Sequence, residues 1–257
     1  MWLDMIMSCE LISSIAAGNM GPVAKMNPHE LRVLVSKIDD PAILRDIAGC
    51  QFEKGSRVAT LENDNPKEPF IRFAPMNRGL EIWVPMLMAK IAAAELPDGP
   101  ESIDFIIGAP ASATPMIPTF QELNLFPDAS YPQVLKVRQL TNGRPSGYLE
   151  FEITRYTNRH PDGSRSQERV LIQPDAYDGG VVLIADDVMA EGGVFVDLAR
   201  IFTAELKARE IHSVVFLSKG RIQGGTEILE NHPSIASVTT VLEVDRIEGK
   251  RIILADD

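Results

Sequence analysis

Cysteine is nearly missing from this chain: only Cys9 and Cys50 occur in 257 residues. So few thiols suit a reducing compartment and argue against a disulfide scaffold, so a cytoplasmic protein is expected. Four histidines, His29, His160, His212 and His232, are scattered, and no His/Cys group has metal-ligand spacing. No Lys/Arg cluster appears, and the formal net charge is −11. A protein living on duplex nucleic acid needs a basic face to release counterions, so DNA and RNA are not expected partners. An anionic small ligand stays open, because a binding site needs local donors and not a basic protein. No run approaches the roughly 20 apolar residues needed to span a bilayer, and no membrane partner is expected. The opening MWLDMIMSCELISSIAAGNM lacks a basic leader and is interrupted by Asp4 and Glu10. It reads as an amphipathic helix in preference to a targeting segment; natural starts at Met20 or Met26 are left open.

What is present is a globular composition, 45% hydrophobic and 24% charged, in a chain long enough for one α/β domain with an accessory lobe. From position 103 onward short apolar runs alternate with helical stretches. Candidate strands are IDFIIGA (103–109), QVLKVRQL (133–140), VVLIADDV (181–188), HSVVFLS (212–218) and SVTTVLEV (237–244). Several are continuous aliphatic or β-branched runs, as parallel strands buried on both faces require. Helices are expected at 115–124, 193–209 and 224–231. The second is the clearest, with a stripe of Val196, Leu198, Ala199, Ile201, Phe202 and Leu206. This alternation predicts βαβ units in an open, mainly parallel twisted sheet flanked by helices. The interval 141–170 breaks the rhythm: TNGRPSG, a β-prone run, HPDGS and QERVLIQ read as a projecting hairpin or a lid. Before position 100 the pattern gives helices near 28–37, 41–49 and 79–96 and a strand-like FIRFAP (70–75), with Trp83, Met86 and Met88 as packing residues. We therefore expect an N-terminal helical lobe with part of a small hood over 1–100 and the core over 101–257.

One segment carries chemistry. In VVLIADDVMAEGGVF a buried strand ends in Asp186 and Asp187, then turns through Val188, Met189, Ala190, Glu191, Gly192 and Gly193 into a helix at Val194. Ligands of open α/β sheets sit at the carboxyl ends of strands. Adjacent carboxylates there suit two neighbouring ribose hydroxyls. The glycines let backbone N–H groups approach a phosphate, and the helix N-terminus adds favourable partial charge. A ribose diol with a 5′-phosphate is the ligand this order of residues selects. The plainer reading, an acidic cap followed by a Gly-Gly turn, would serve for any one of these pieces taken alone.

The string resembles the phosphoribosyl-pyrophosphate motif of the type I phosphoribosyltransferases: four apolar residues, two acids, two apolar residues and a Thr/Gly loop. The resemblance implies that Asp186 and Asp187 hold the ribose hydroxyls and that Ala190 to Val194 form the 5′-phosphate loop. Further parts fall in the family's order over 103–245. GAPASATP (108–115), with Ala109, Ala111 and Ser112, resembles the pyrophosphate loop, and KVRQL (136–140) puts Arg138 in a pyrophosphate-contacting place. The 143–180 region resembles the catalytic loop and hairpin of adenine phosphoribosyltransferases, and 220–244 the closing segment of orotate phosphoribosyltransferases. It implies transfer of phosphoribose to or from a nucleobase, purine or orotate-like, as in nucleotide salvage. Phosphoribosyl pyrophosphate and a nucleobase or nucleotide would be the ligands, with Mg²⁺ bridged through the substrate, no metal site on the protein, and a homodimer.

Two departures stand out. The family has Thr or Ser where this chain has Glu191 and Val194, and a Lys where it has Gln139; Arg144 could supply the missing cation. A like charge 4 Å from a phosphate costs about 1–4 kcal/mol, depending on the local dielectric. Glu191 is therefore expected to face solvent or to pair with a cation such as Arg221, and a ligand-sensing protein without catalysis is the alternative reading. Lys219 and Arg221 follow a core strand end, where they could reach a phosphate or stand in a solvated loop. Tyr148, Phe151 and Tyr156 alternate as an amphipathic strand does, although they could also close over a base.

Overall fold

A computed structural model describes residues 9–52, 59–63, 70–73, 82–110, 113–137, 140, 145–159, 165–173, 177–248 and 251–255. For 9, 59–63, 70–73, 155–159, 165 and 166 the description is of the backbone alone. Three helices come first: α1 (Cys9–Ala16), α2 (Pro28–Val35) and α3 (Pro41–Cys50). Asn27 starts α2 with a capping box: its side chain accepts from the Glu30 N–H, and Glu30 Oε2 accepts from the Asn27 N–H at 2.8 Å. Asp40 caps α3 by accepting from the Ala42 N–H at 2.9 Å. Strands β1 (Ala59–Asn63) and β2 (Phe70–Phe73) form an antiparallel pair.

Helix α4 (Trp83–Glu95) is apolar all round, and every residue from Trp83 to Ala92 is buried. A helix without a polar face belongs inside, and α4 packs on α2, α3 and the central sheet. It carries one charge inward, Lys90, whose Nζ donates to the Ile38 carbonyl at 2.6 Å and pairs with Asp39 at 2.8 Å.

The central sheet comprises β3 (Phe105–Gly108), β7 (Val181–Met189), β8 (Glu210–Ser218), β9 (Ile235–Glu248) and β10 (Arg251–Leu254). Its order is β10-β9-β8-β7-β3, parallel from β9 to β3 and antiparallel only at β10. The strand runs expected at 103–109, 181–188, 212–218 and 237–244 are four of these five. Val181 to Ala185 is continuous, apolar and buried throughout, because helices cover both faces of a parallel sheet. Between the strands lie α5 (Ile117–Leu123), α6 (Gly193–Arg200) with a π-helical continuation over Ile201–Glu205, α7 (Gly220–Gln223) and α8 (Gly225–Glu230). In α6, Phe195, Leu198 and Ala199 form the buried face, which Ile201 and Phe202 extend.

The run at 133–140 departs from expectation. Among the described residues of that run the strand is β4 (Val134–Lys136), and it pairs antiparallel with β6 (Arg165–Ile172) in a separate sheet of order β4-β6-β5, where β5 is Leu149–Arg159. The physical reason is visible in Lys136, whose ammonium meets Glu168 on β6 at 2.8 Å with both side chains largely buried. The expected hairpin is present as β5 and β6, but its base does not project freely. Ile153 is buried, and the Thr154 N–H donates to Asp197 Oδ2 on α6 at 2.6 Å.

Candidate functional site

Parallel pairing brings the carboxyl ends of β3, β7 and β8 to one edge, beside Glu243 of β9. Gly108 pairs with Ala185, Met189 with Ser218, and Ser218 with Glu243. Asp186 and Asp187 lie within the last four residues of β7, after the apolar run Val181 to Ala185 and towards this carboxyl edge, and are 8% and 7% exposed. Each carboxylate receives a short backbone hydrogen bond: Asp186 Oδ1 from the Asp187 N–H at 2.9 Å, and Asp187 Oδ1 from the Val188 N–H at 2.8 Å. Each acid thus keeps one carboxylate oxygen on the backbone N–H of the residue that follows it.

The chain then turns. Gly192 takes φ +75, a left-handed conformation that costs a side chain, and α6 starts at Gly193 with no side-chain cap. The N–H groups of this first helical turn are thus backbone donors available to an anion. Val188 and Val194 pack partly on the core, so Val194 serves the helix as an apolar anchor. Met189 is buried, and Ala190, Glu191 and Gly193 are half-buried. The loop is pressed from below: a Cβ placed on Gly225 would fall 2.1 Å from the Ala190 carbonyl oxygen.

The neighbouring loop after β3 is equally tight. The Ala109 N–H donates to the Ala185 carbonyl at 2.8 Å, which sets this loop directly beside Asp186. A Cβ on Gly108 would meet the Ala113 backbone at 2.8 Å, so the chain can double back there only at glycine. Ala109 is buried in this position. Ala111, Ser112, Arg138, Gln139 and Arg144 lie outside the described residues, as do His160 and the side chain of Tyr156.

Lys219 is the residue the sequence left undecided. It follows β8, its N–H donates to the Met189 carbonyl at 2.8 Å, and it is 6% exposed. Burial pushes its ammonium down to about 8, while the Glu191 carboxylate pulls the other way. The cation that acts on Glu191 is thus Lys219. Arg221 is exposed, with its own N–H on Glu243 Oε1 at 3.0 Å. Burial could not be read from a lone Lys-Gly-Arg after a strand; only the register of β8 against β7 reveals it. Among the described residues no group of three or more His, Cys, Asp or Glu side chains could hold a metal ion, and no helix is long and apolar enough to cross a membrane. An open cleft of about 520 Å³ lined by Gln121, Phe126, Tyr131 and Gln173 lies away from the site, beside the segment that bridges the start of β3.

No protein-family model matches the chain, and no curated protein does. Solved structures do. The chain is similar to the APRTase of Giardia lamblia complexed with 9-deazaadenine, over 74% of its own length and 96% of that protein, at TM-score 0.52 and 12% identity. It also aligns with the adenine phosphoribosyltransferases of Rhodothermus marinus (18% identity, 74% and 96% covered, TM-score 0.48) and Saccharomyces cerevisiae (22% identity, 73% and 96% covered, TM-score 0.47). The Giardia likeness shows the type I phosphoribosyltransferase fold: a mostly parallel central sheet flanked by helices.

Proposed function

We propose that the protein is a phosphoribosyltransferase that binds phosphoribosyl pyrophosphate and transfers phosphoribose to or from a nucleobase. The observation that carries this reading is the paired Asp186 and Asp187 near the carboxyl end of β7, an interior strand of the sheet, followed by a left-handed glycine turn into an uncapped helix. On this fold, that order of groups presents two acceptors for a ribose diol and, a few residues on, backbone donors for its 5′-phosphate. The 9-deazaadenine held by the Giardia protein makes a purine the first base to try, ahead of an orotate-like one.

In the reaction, the C1–N bond to the base forms as the C1–O bond to pyrophosphate breaks; pyrophosphate leaves with the electron pair, and the base nitrogen gives up its proton to pyrophosphate or water. The sugar passes through an oxocarbenium-like state, so this chain's task is orientation and charge stabilisation. Asp186 and Asp187 fix the ribose, and the amides of 190–194 hold the 5′-phosphate. The loop of Ala109, Ala111 and Ser112 receives the pyrophosphate, and Arg138 and Arg144 balance its charge. The 141–170 excursion covers the site and excludes water. Two buried carboxylates are hard oxygen donors that suit Mg²⁺, held mainly through the oxygens of the substrate; when bound it would neutralise charge on departing pyrophosphate. A cytoplasmic homodimer fits the same reading.

A second reading, a ligand sensor on this fold, is favoured by Glu191 and Val194 in the loop. The deciding experiment is a titration with phosphoribosyl pyrophosphate and Mg²⁺, followed by pyrophosphate release over a panel of bases. Asp187→Asn should weaken binding by about 1.5–3 kcal/mol, the worth of a hydrogen bond to a charged acceptor. Binding without turnover on any base favours the sensor. Absence of binding ends both readings.

A further inference from the structure

We propose that Lys219 is a phosphate-binding residue of the 190–194 loop, and that Glu191 holds its ammonium until an anion takes it over. The inference rests on the assignment of that loop to a 5′-phosphate.

Placement comes first. Met189 pairs with Ser218, and the Lys219 N–H donates to the Met189 carbonyl at 2.8 Å, so Lys219 begins where the loop begins. Its backbone is fixed on both sides. Ser218 Oγ accepts from the Gly220 N–H at 2.9 Å and lies 3.3 Å from Thr226 Oγ1. Gly225 is packed against the Ala190 carbonyl. A lysine 6% exposed is rare unless an anion accompanies it, and the carboxylate acting on this one is Glu191, inside the loop.

The chemistry follows from what the loop lacks. Val194 offers no hydroxyl, and Glu191 brings a negative charge, so backbone amides alone would have to hold a dianion beside a carboxylate. A fixed ammonium answers both deficits. It neutralises Glu191 in the ligand-free protein and can serve a phosphate, which carries more charge than one carboxylate and competes for the cation. Glu191 is only half-buried, so it can be released to water at small cost. Charged groups on the elements packed around Lys219 include Asp186 and Asp187 on β7, Glu243 on β9, Glu227 on α8 and the exposed Arg221. Because burial holds the free ammonium near 8, anion binding above that pH draws in a proton.

The test is calorimetric titration with ribose 5-phosphate between pH 7 and 9.5, in buffers of different ionisation enthalpy. Lys219→Met should lose roughly 10- to 100-fold in affinity, the range for a hydrogen bond between charged partners, and should abolish proton uptake. Lys219→Arg should keep most of the affinity yet lose the pH dependence, since a guanidinium stays charged. Glu191→Gln should bind more tightly than the wild type by removing the competing carboxylate. Wild-type binding that Asp187→Asn weakens while Lys219→Met leaves it within twofold overturns this inference and spares the proposed function. Should Lys219→Met fail to fold, a Lys219→Arg profile identical to the wild type, with no gain in Glu191→Gln, overturns it equally. No ribose 5-phosphate binding by the wild type overturns both.

Discussion

Replacing Gly225 by Ala should damage the loop at Ala190 more than its size suggests. The added methyl would lie 2.1 Å from the Ala190 carbonyl oxygen, 2.9 Å from its carbon and 3.0 Å from the Glu191 carbonyl carbon. A relaxed C···O contact is about 3.3 Å, so α8 and the loop must separate by about 1 Å. All three atoms are backbone, and no side chain can swing aside. Overpacking of this kind costs about 1–3 kcal/mol, and a rigid backbone obstacle puts this case near 3. At about 2–4 °C per kcal/mol for a chain of this size, the melting temperature should fall by about 6–12 °C. The same 1 Å shift in the donor amides should lower affinity for ribose 5-phosphate by up to about 100-fold. Gly224→Ala is the matched control: its φ of +80 is strained for alanine, but nothing lies within 4 Å of the new methyl. It should lose about 1–2 kcal/mol and leave ligand affinity alone. Differential scanning calorimetry and titration of the two variants read both effects. If Gly225→Ala is as stable as Gly224→Ala and binds like the wild type, close packing of α8 does not shape the loop.

Three further outcomes are expected. Trp83, 1% exposed and edge-on to Phe216 at 6.3 Å, should cost about 3–5 kcal/mol on truncation to Ala, read as a lower urea midpoint with unchanged slope. Asp197→Ala removes the 2.6 Å acceptor for Thr154 and should speed hydrogen exchange in β5 while β7 amides keep their protection, a local loss of about 1.5–3 kcal/mol. Lys219 sits near 8 in the folded chain against 10.5 ordinarily, so between those values the unfolded state binds more protons. Unfolding free energy should therefore rise with pH across that window, by up to about 3 kcal/mol, and Lys219→Met should flatten the rise.

The core was legible wherever one local rule sufficed. Val181 to Ala185 had to be a buried strand, and the helix expected over 193–209 showed itself by its apolar stripe, which the structure realises over 193–205. The Asp-Asp-to-Gly-Gly order was readable because strand, acids and turn follow one another in the chain. What stayed hidden depends on partners distant in sequence. Lys136 meets Glu168 only once β4 lies against β6, and the burial of Lys219 exists only once β8 lies beside β7. Strand β10 escaped notice because Arg251 to Leu254 shows no alternation; its pattern is set by β9 on one side and by Leu254 reaching Gly49 on the other.

Helix α6 is shared property. Its first residues leave the loop beside Asp186 and Asp187, and its Asp197, little more than one turn further, anchors the hairpin arm. Eight residues of regular helix cannot bend appreciably between those points. Whatever orders the first turn therefore also steadies the anchor, and whatever loosens the arm is felt at the loop. Thermodynamic linkage makes the exchange symmetrical: the free energy by which an occupied loop tightens the arm equals that by which a docked arm tightens the loop's hold.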